Sequence, residues 1–159
     1  MDRFVSNHTL RLYAKGRISI PAPSRQVLAR DGFDGVYCYP ALDRPALDAG
    51  GNALVVEIEQ LIGGLPLYSD EREQFSIALY GTSETLRTDS EGRVVLSERL
   101  KTHAGIGDAV AFAGLAHKFQ IWAPERFRAQ LAEATEKVRA ARWRRGFRIA
   151  ARNAQGARE

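Results

Sequence analysis

Leu10, Leu12, Ile18 and Ile20 alternate with Arg11, Arg17 and Ser19. That two-residue period marks strands buried on one face, expected here over 9–12 and 17–20. The alternation returns downstream, where Leu86, Val94 and Leu96 are interleaved with Arg87 and Arg93. The two stretches align at an offset of 76 residues. Thr9-Leu10-Arg11-Leu12 falls on Thr85-Leu86-Arg87-Thr88, Gly16-Arg17-Ile18-Ser19-Ile20 on Gly92-Arg93-Val94-Val95-Leu96, and Arg25 on Lys101. Gly35-Val36-Tyr37-Cys38-Tyr39 lies opposite Asp108-Ala109-Val110-Ala111-Phe112 after a gap of a couple of residues. Two related units of about 50 residues are indicated, with an inserted segment between them.

Each unit predicts the same order of elements. If its first two strands pair as a hairpin, the inward parity favours a three-residue connection with Gly16 or Gly92 at positive φ. Pro21 or Ser97 then opens a short helix, over 23–30 or 98–103, stopped by Asp31-Gly32 or Gly105. A third strand follows at 35–39 or 108–113, and the second unit adds one at 117–122. Pro124 starts a helix through about Val138, with Phe127, Leu131 and Val138 on its inner side. The insert predicts helices at 53–62 and 70–80, split by Gly63-Gly64-Leu65-Pro66. Leu54, Ile58, Leu61 and Ile62, then Phe75, Leu79 and Tyr80, form their core or interface stripes. A unit this short buries too little apolar surface alone. The expectation is therefore an α+β fold in which interlocking hairpins of the two units share a small β-barrel-like core. The chain divides into a first half (1–52), connecting helices (53–82), a second half (83–138) and a basic tail (139–159).

Composition sets bounds on function. The 159 residues are 45% hydrophobic and 26% charged, as in an ordinary globular domain. No apolar run approaches the roughly 20 residues that span a bilayer, and no signal peptide is visible, so a cytoplasmic protein without membrane contact is expected. Cys38 stands alone, too few thiols for a disulfide framework or a zinc ribbon. The net charge of +4 is uneven: residues 137–159 carry +7 and residues 1–136 carry −3. Such a tail either engages a polyanion or remains a solvated terminus.

Catalytic chemistry finds no foothold. His8, His103 and His117 share no signature, and Cys38 between Tyr37 and Tyr39 reads as an inert strand thiol. No metal-ligand spacing or phosphate-cradling glycine loop occurs, so the expectation is a non-enzyme with no catalytic residue, no cofactor and no metal. The remaining signal is charge. Residues 9–30 contain Arg11, Lys15, Arg17, Arg25 and Arg30 with no acid, whereas 85–106 set Arg87, Arg93, Arg99 and Lys101 against Asp89, Glu91 and Glu98. Strand alternation points Arg11 and Arg17 away from the core, with Lys15 at the turn between them. Such a ribbon is either a solvated sheet face or a surface that offers arginines to phosphates and base edges.

The repeated Gly-Arg strand motif resembles the MraZ family of bacterial transcriptional regulators. Its carriers are Ala14-Lys15-Gly16-Arg17-Ile18-Ser19-Ile20-Pro21 with Arg25, then Asp89-Ser90-Glu91-Gly92-Arg93-Val94-Val95-Leu96, then Phe119-Gln120-Ile121-Trp122-Ala123-Pro124-Glu125. The resemblance spans roughly residues 3–135. It implies two AbrB-like swapped-hairpin halves in one chain, assembled into rings. It also implies binding to direct DNA repeats upstream of the division and cell-wall gene cluster, autorepression, and a cytoplasmic, nucleoid-associated location. The DNA-contact candidates are Arg11, Lys15, Arg17, Arg25, Arg87 and Arg93. The alternative is an antitoxin-like scaffold whose basic face holds an acidic protein. Tyr13 departs from the pattern, standing where the family usually has Asp, while the second motif keeps Asp89. An Asp there is expected to hold the arginine guanidinium and fix the turn; with Tyr13 in its place Arg17 is expected to be less tethered, and the ring offers a stacking surface for a sugar or base. Trp143-Arg144-Arg145-Gly146-Phe147-Arg148 is expected to clamp phosphate or pack on a neighbouring subunit.

Overall fold

The computed structural model describes residues 2–156. The chain divides into two compact units, Met1–Pro124 and Glu125–Glu159. In the first, β1 (Asn7–Arg11) leads through a 3-10 turn (Ala14–Gly16) into β2 (Arg17–Ser19), α1 (Ala22–Arg30), β3 (Val36–Pro40) and β4 (Ala46–Gly50). The insert follows as α2 (Asn52–Gly63) and α3 (Asp70–Leu79). The second repeat supplies β5 (Glu84–Leu86), β6 (Arg93–Val95), α4 (Glu98–Ala104), β7 (Ala109–Gly114) and β8 (Phe119–Trp122). The helix α5 (Pro124–Gly156) is the last element among the described residues.

The strands form a six-stranded antiparallel sheet, ordered β1-β7-β8-β4-β3-β5, and a separate ribbon of β2 and β6. This corrects two expectations. The described residues contain no closed barrel, and the strands flanking each glycine turn do not form a hairpin ladder. β1 pairs with β7, and β5 with β3, so each half donates its first strand to the third strand of the other. Locally, only the mouth of each turn closes: Tyr13 N–H donates to the Arg17 carbonyl at 2.8 Å, and Asp89 N–H to the Arg93 carbonyl at 2.9 Å.

The arrangement has a pseudo-twofold character that follows from the repeat. In the ribbon Arg17 opposes Val95, Ile18 opposes Val94 and Ser19 opposes Arg93. The ladder is extended by Ile20 N–H to the Gly92 carbonyl and Leu96 N–H to the Gly16 carbonyl, at 3.1 and 3.2 Å. Ile18 thus faces its own repeat counterpart, while Arg17 faces the counterpart of Ser19 and Ser19 faces the counterpart of Arg17. In the sheet, β4 and β8 meet at the centre, with Leu47 opposite Ile121.

Ile18, Ile20, Val94 and Leu96 are buried with Leu47, Leu100, Val110, Phe112, Phe119 and Ile121 in one core, against which Leu10 and Leu12 pack. Full burial of such aliphatic side chains contributes about 1.5–3 kcal/mol each. Neither half owns this core, which explains why neither closes alone. Phe4 joins it beside Phe119, with ring centroids 5.0 Å apart. β4 was not expected. Ala-Leu-Asp-Ala-Gly lacks β-branched and aromatic residues, yet all five are buried, because strand pairing on both sides outweighs weak local preference.

The insert helices pack Leu54, Ile58, Ile62 and Leu79 on Tyr37 and Tyr39. Leu61 and Tyr80, expected in the stripes, are exposed. Ser69 and Ser97 cap α3 and α4, each accepting the backbone N–H three residues on. In the second unit, α5 does not stop near Val138 but runs to Gly156, and Leu131 and Val138 are exposed rather than inward. Arg158 and Glu159 of the tail lie outside the described residues.

Candidate nucleic-acid interface

The ribbon has a buried and an open face. Ile18 and Val94 are 0% and 1% exposed. Alternation puts Arg17 and Ser19, with their partners Val95 and Arg93, on the opposite face. Arg17 and Arg93 are therefore diagonal neighbours on one open surface, at positions typically about 7–8 Å apart. Both are partly accessible, and Val95 is exposed beside them. The parity of residues 17, 19, 93 and 95 was visible in the sequence; their sharing of one ribbon was not.

At the second turn, Asp89 Oδ1 accepts the backbone N–H of Glu91 at 2.8 Å and of Arg93 at 2.9 Å. The Arg93 bond leads in holding the Asp89 carboxyl below its ordinary pKa, and the nearby Arg93 and Arg17 charges act in the same direction. The carboxylate thus fixes the turn through backbone N–H groups, not by the expected bond to the guanidinium. The Arg93 guanidinium instead pairs with Glu91 at 3.0 Å and lies over the Tyr13 ring, 4.6 Å from its centroid. Tyr13 stacks on the arginine of the other half, a cation–π contact that only the cross-half pairing creates.

The first turn lacks this carboxylate. Gly16 and Gly92 share positive φ values, +70° and +78°, but Lys15 also turns to +65°, a conformation non-glycine residues rarely adopt. Among the described residues, Arg11, Lys15 and Arg17 form no ion pair. Arg11 and Lys15 are exposed.

The helix-borne cations cross over. Arg25 of α1 lies against Gly92, where an added Cβ would sit 2.5 Å from its Nη1. Lys101 of α4, its repeat counterpart, lies against Gly16, where an added Cβ would sit 3.5 Å from Nζ. Lys101 was overlooked as a candidate, although its alignment with Arg25 was the available signal. It also pairs with Glu98 at 2.9 Å. Arg11 ends β1 and Arg87 follows β5, strands at opposite edges of the sheet, so the structure does not join these two on the ribbon. Arg30 is committed to Asp2 at 2.6 Å.

A cavity of about 700 Å³ lies elsewhere, between the insert helices and the sheet. Its polar wall is internally satisfied: Gln120 Nε2 donates to Asp48 at 2.8 Å, and Lys118 Nζ sits 3.3 Å from the same carboxylate. Cys38 is buried, and desolvation pushes its thiol pKa upward, which disfavours the reactive thiolate. Among the described residues, no cluster of metal-ligating side chains occurs. Among the described residues, no helix is long and apolar enough to cross a membrane.

Relatives cover nearly the whole chain. A protein of Xanthobacter autotrophicus named transcriptional regulator MraZ is 66% identical over 93% of this chain and 94% of its own. A second of that name, from Beijerinckia indica, is 57% identical with both chains fully covered. The chain belongs to the MraZ family. The family model described as "MraZ protein, putative antitoxin-like" matches residues 79–148, which include the second turn, Asp89 and Arg93. A third relative, from Azorhizobium caulinodans, is 66% identical over 87% of this chain and 88% of its own. All three carry the name of a transcriptional regulator.

Proposed function

We propose that the chain is a sequence-specific DNA-binding transcriptional regulator whose reading head is the open face of the β2–β6 ribbon. The observation that carries this is Arg17: it stands on that face, beside an acid-free turn, with no ion pair among the described residues. A buried or neutralised arginine would have argued against it. Arg17 reads base edges, assisted by Arg93, while Arg11, Lys15, Arg25 and Arg87 contact phosphates. The halves 1–52 and 83–138 act as swapped-hairpin modules joined by 53–82. Copies assemble into a ring, so that several ribbons engage several direct repeats and each contact raises the effective concentration of the next. The target is DNA upstream of the division and cell-wall gene cluster containing the protein's own gene, with repression as the outcome and the nucleoid as the location.

The test is a gel shift on the duplex upstream of the protein's own gene. Arg17→Ala is expected to lower specific affinity about tenfold to a hundredfold, leaving the oligomer intact. Arg93→Ala is expected to cost less, since that guanidinium is already shared with Glu91 and Tyr13. Unchanged affinity in Arg17→Ala removes the residue from the site. The antitoxin-like description of the family model favours a second reading, capture of an acidic protein by the same face. Competition separates the two: a DNA regulator prefers its promoter over random duplex by about a thousandfold or more.

A further inference from the structure

The sequence leaves one feature outside this reading: the basic end of the chain. It is helical. α5 continues unbroken through Gly156, and from 137 to 156 it carries Lys137, Arg139, Arg142, Arg144, Arg145, Arg148 and Arg152 with no acidic residue. Lys137 and Arg139 reach back to Glu133 and Glu136, at 2.7 and 3.8 Å. The five later arginines have no carboxylate within helical reach along the chain.

Their spacing is not random. In the sequence Lys137, Arg144, Arg148 and Arg152 recur at intervals of seven, four and four, the spacing of a single helix stripe, with Arg145 beside them. At 1.5 Å per residue, Arg144 to Arg152 covers about 12 Å, a length over which duplex DNA presents about seven phosphate charges. Like charges at i,i+4 oppose helix formation in water by a few tenths of a kcal/mol per pair. A line of phosphates relieves that repulsion and releases counterions. The apolar residues offset from that spacing are few in the sequence, Trp143 and Phe147 among alanines. That is a small apolar set compared with the broad Leu/Phe/Trp face of helices that lie in a membrane interface.

We propose that the basic half of α5 is a second DNA-contact surface, which binds duplex phosphates without regard to sequence. The choice of DNA as the polyanion rests on the function proposed above. The division of labour is that the ribbon selects the site and the helix adds salt-sensitive affinity for any duplex.

The experiment compares the full-length chain with a variant carrying Arg142→Gln, Arg144→Gln, Arg145→Gln, Arg148→Gln and Arg152→Gln, and with the same five changed to Lys. Binding is measured to random-sequence duplex, to the upstream duplex, and to vesicles of phosphatidylglycerol and phosphatidylcholine, across a salt series. The Gln variant is expected to lose about tenfold or more on both duplexes alike near 0.15 M salt, with a log–log salt slope shallower by up to about 4. The ratio between the two duplexes stays as in the wild type, and the Lys variant binds like the wild type. Random-duplex affinity unchanged in the Gln variant overturns the proposal. So does a loss confined to the vesicles or to the upstream duplex, or a Lys variant as weak as the Gln variant. If the wild type shows no preference for the upstream duplex, the ribbon reading fails while the random-duplex arm still reports on the helix.

Discussion

The two glycine turns occupy equivalent places in the repeat and have opposite characters. Around Gly92 the charges are balanced: Asp89 and Glu91 face Arg93 and the incoming Arg25. Around Gly16, Lys15 and Arg17 stand without an acid in their own turn, and Lys101 arrives from the other half. The second turn is locked by a carboxylate that accepts two backbone N–H groups; the first closes with Lys15 in a left-handed conformation. Duplication therefore preserved the topology while the charge and the side-chain bonding diverged. One turn supports, and the other is left with its arginine uncommitted. The stacking of Arg93 on Tyr13 ties the two together, so the replacement of Asp by Tyr in the first motif is answered in the second.

The largest expected effect that would break this contrast is on the supporting turn. Gly92→Ala puts a Cβ against Arg25 at φ +78° and is expected to destabilise the fold by about 1–2 kcal/mol, with more added if Arg25 cannot shift. Thermal or urea unfolding measures it, and an unaltered midpoint refutes the close approach. A smaller and opposite effect is expected at the first turn. Lys15→Gly relieves its positive φ and should stabilise the protein by up to about 1 kcal/mol, while removing one cation from the site. A loss of stability there would show that the lysine side chain, not the backbone, sets that turn.

The smallest effect concerns pH. Asp89 is held below its ordinary value of 3.8 by the N–H of Arg93, so its ionised form is favoured by folding. Its contribution is fully present above pH 3.8 and is lost as pH falls through the depressed value. The difference in thermal midpoint between wild type and Asp89→Ala should therefore be constant above that pH and narrow below it. A difference that persists unchanged in acid would mean that the carboxylate's charge plays no part in the turn.

Much of the local structure was legible in the chain. The helices expected at 53–62 and 70–80 are Asn52–Gly63 and Asp70–Leu79, because long apolar periodicity and the Gly-Gly-Leu-Pro break leave few options. Gly16 and Gly92 take the expected positive φ, although the strands flanking them pair across the halves and not as hairpins. The inward set Ile18, Ile20, Leu86, Val94 and Leu96 is buried as the alternation required. β4 escaped notice because its residues carry no strand preference of their own. The end of α5 was misplaced because charged, alanine-rich sequence carries no stop signal before Gly156 other than Gly146.

What the amino acids settled alone was the short-range part: which residues turn, which alternate, which coil, and where cations gather without acids. These depend on backbone freedom and side-chain period over a few residues. The fold as a whole decided which strands meet. β2 finds β6, β1 finds β7 and β5 finds β3 because only that exchange closes one core from two incomplete halves. Hydrogen bonds between distant strands leave no mark in either strand's own sequence. For that reason Arg17 and Arg93 as neighbours, Tyr13 beneath the second arginine, and Arg25 and Lys101 at each other's turns emerge only in three dimensions.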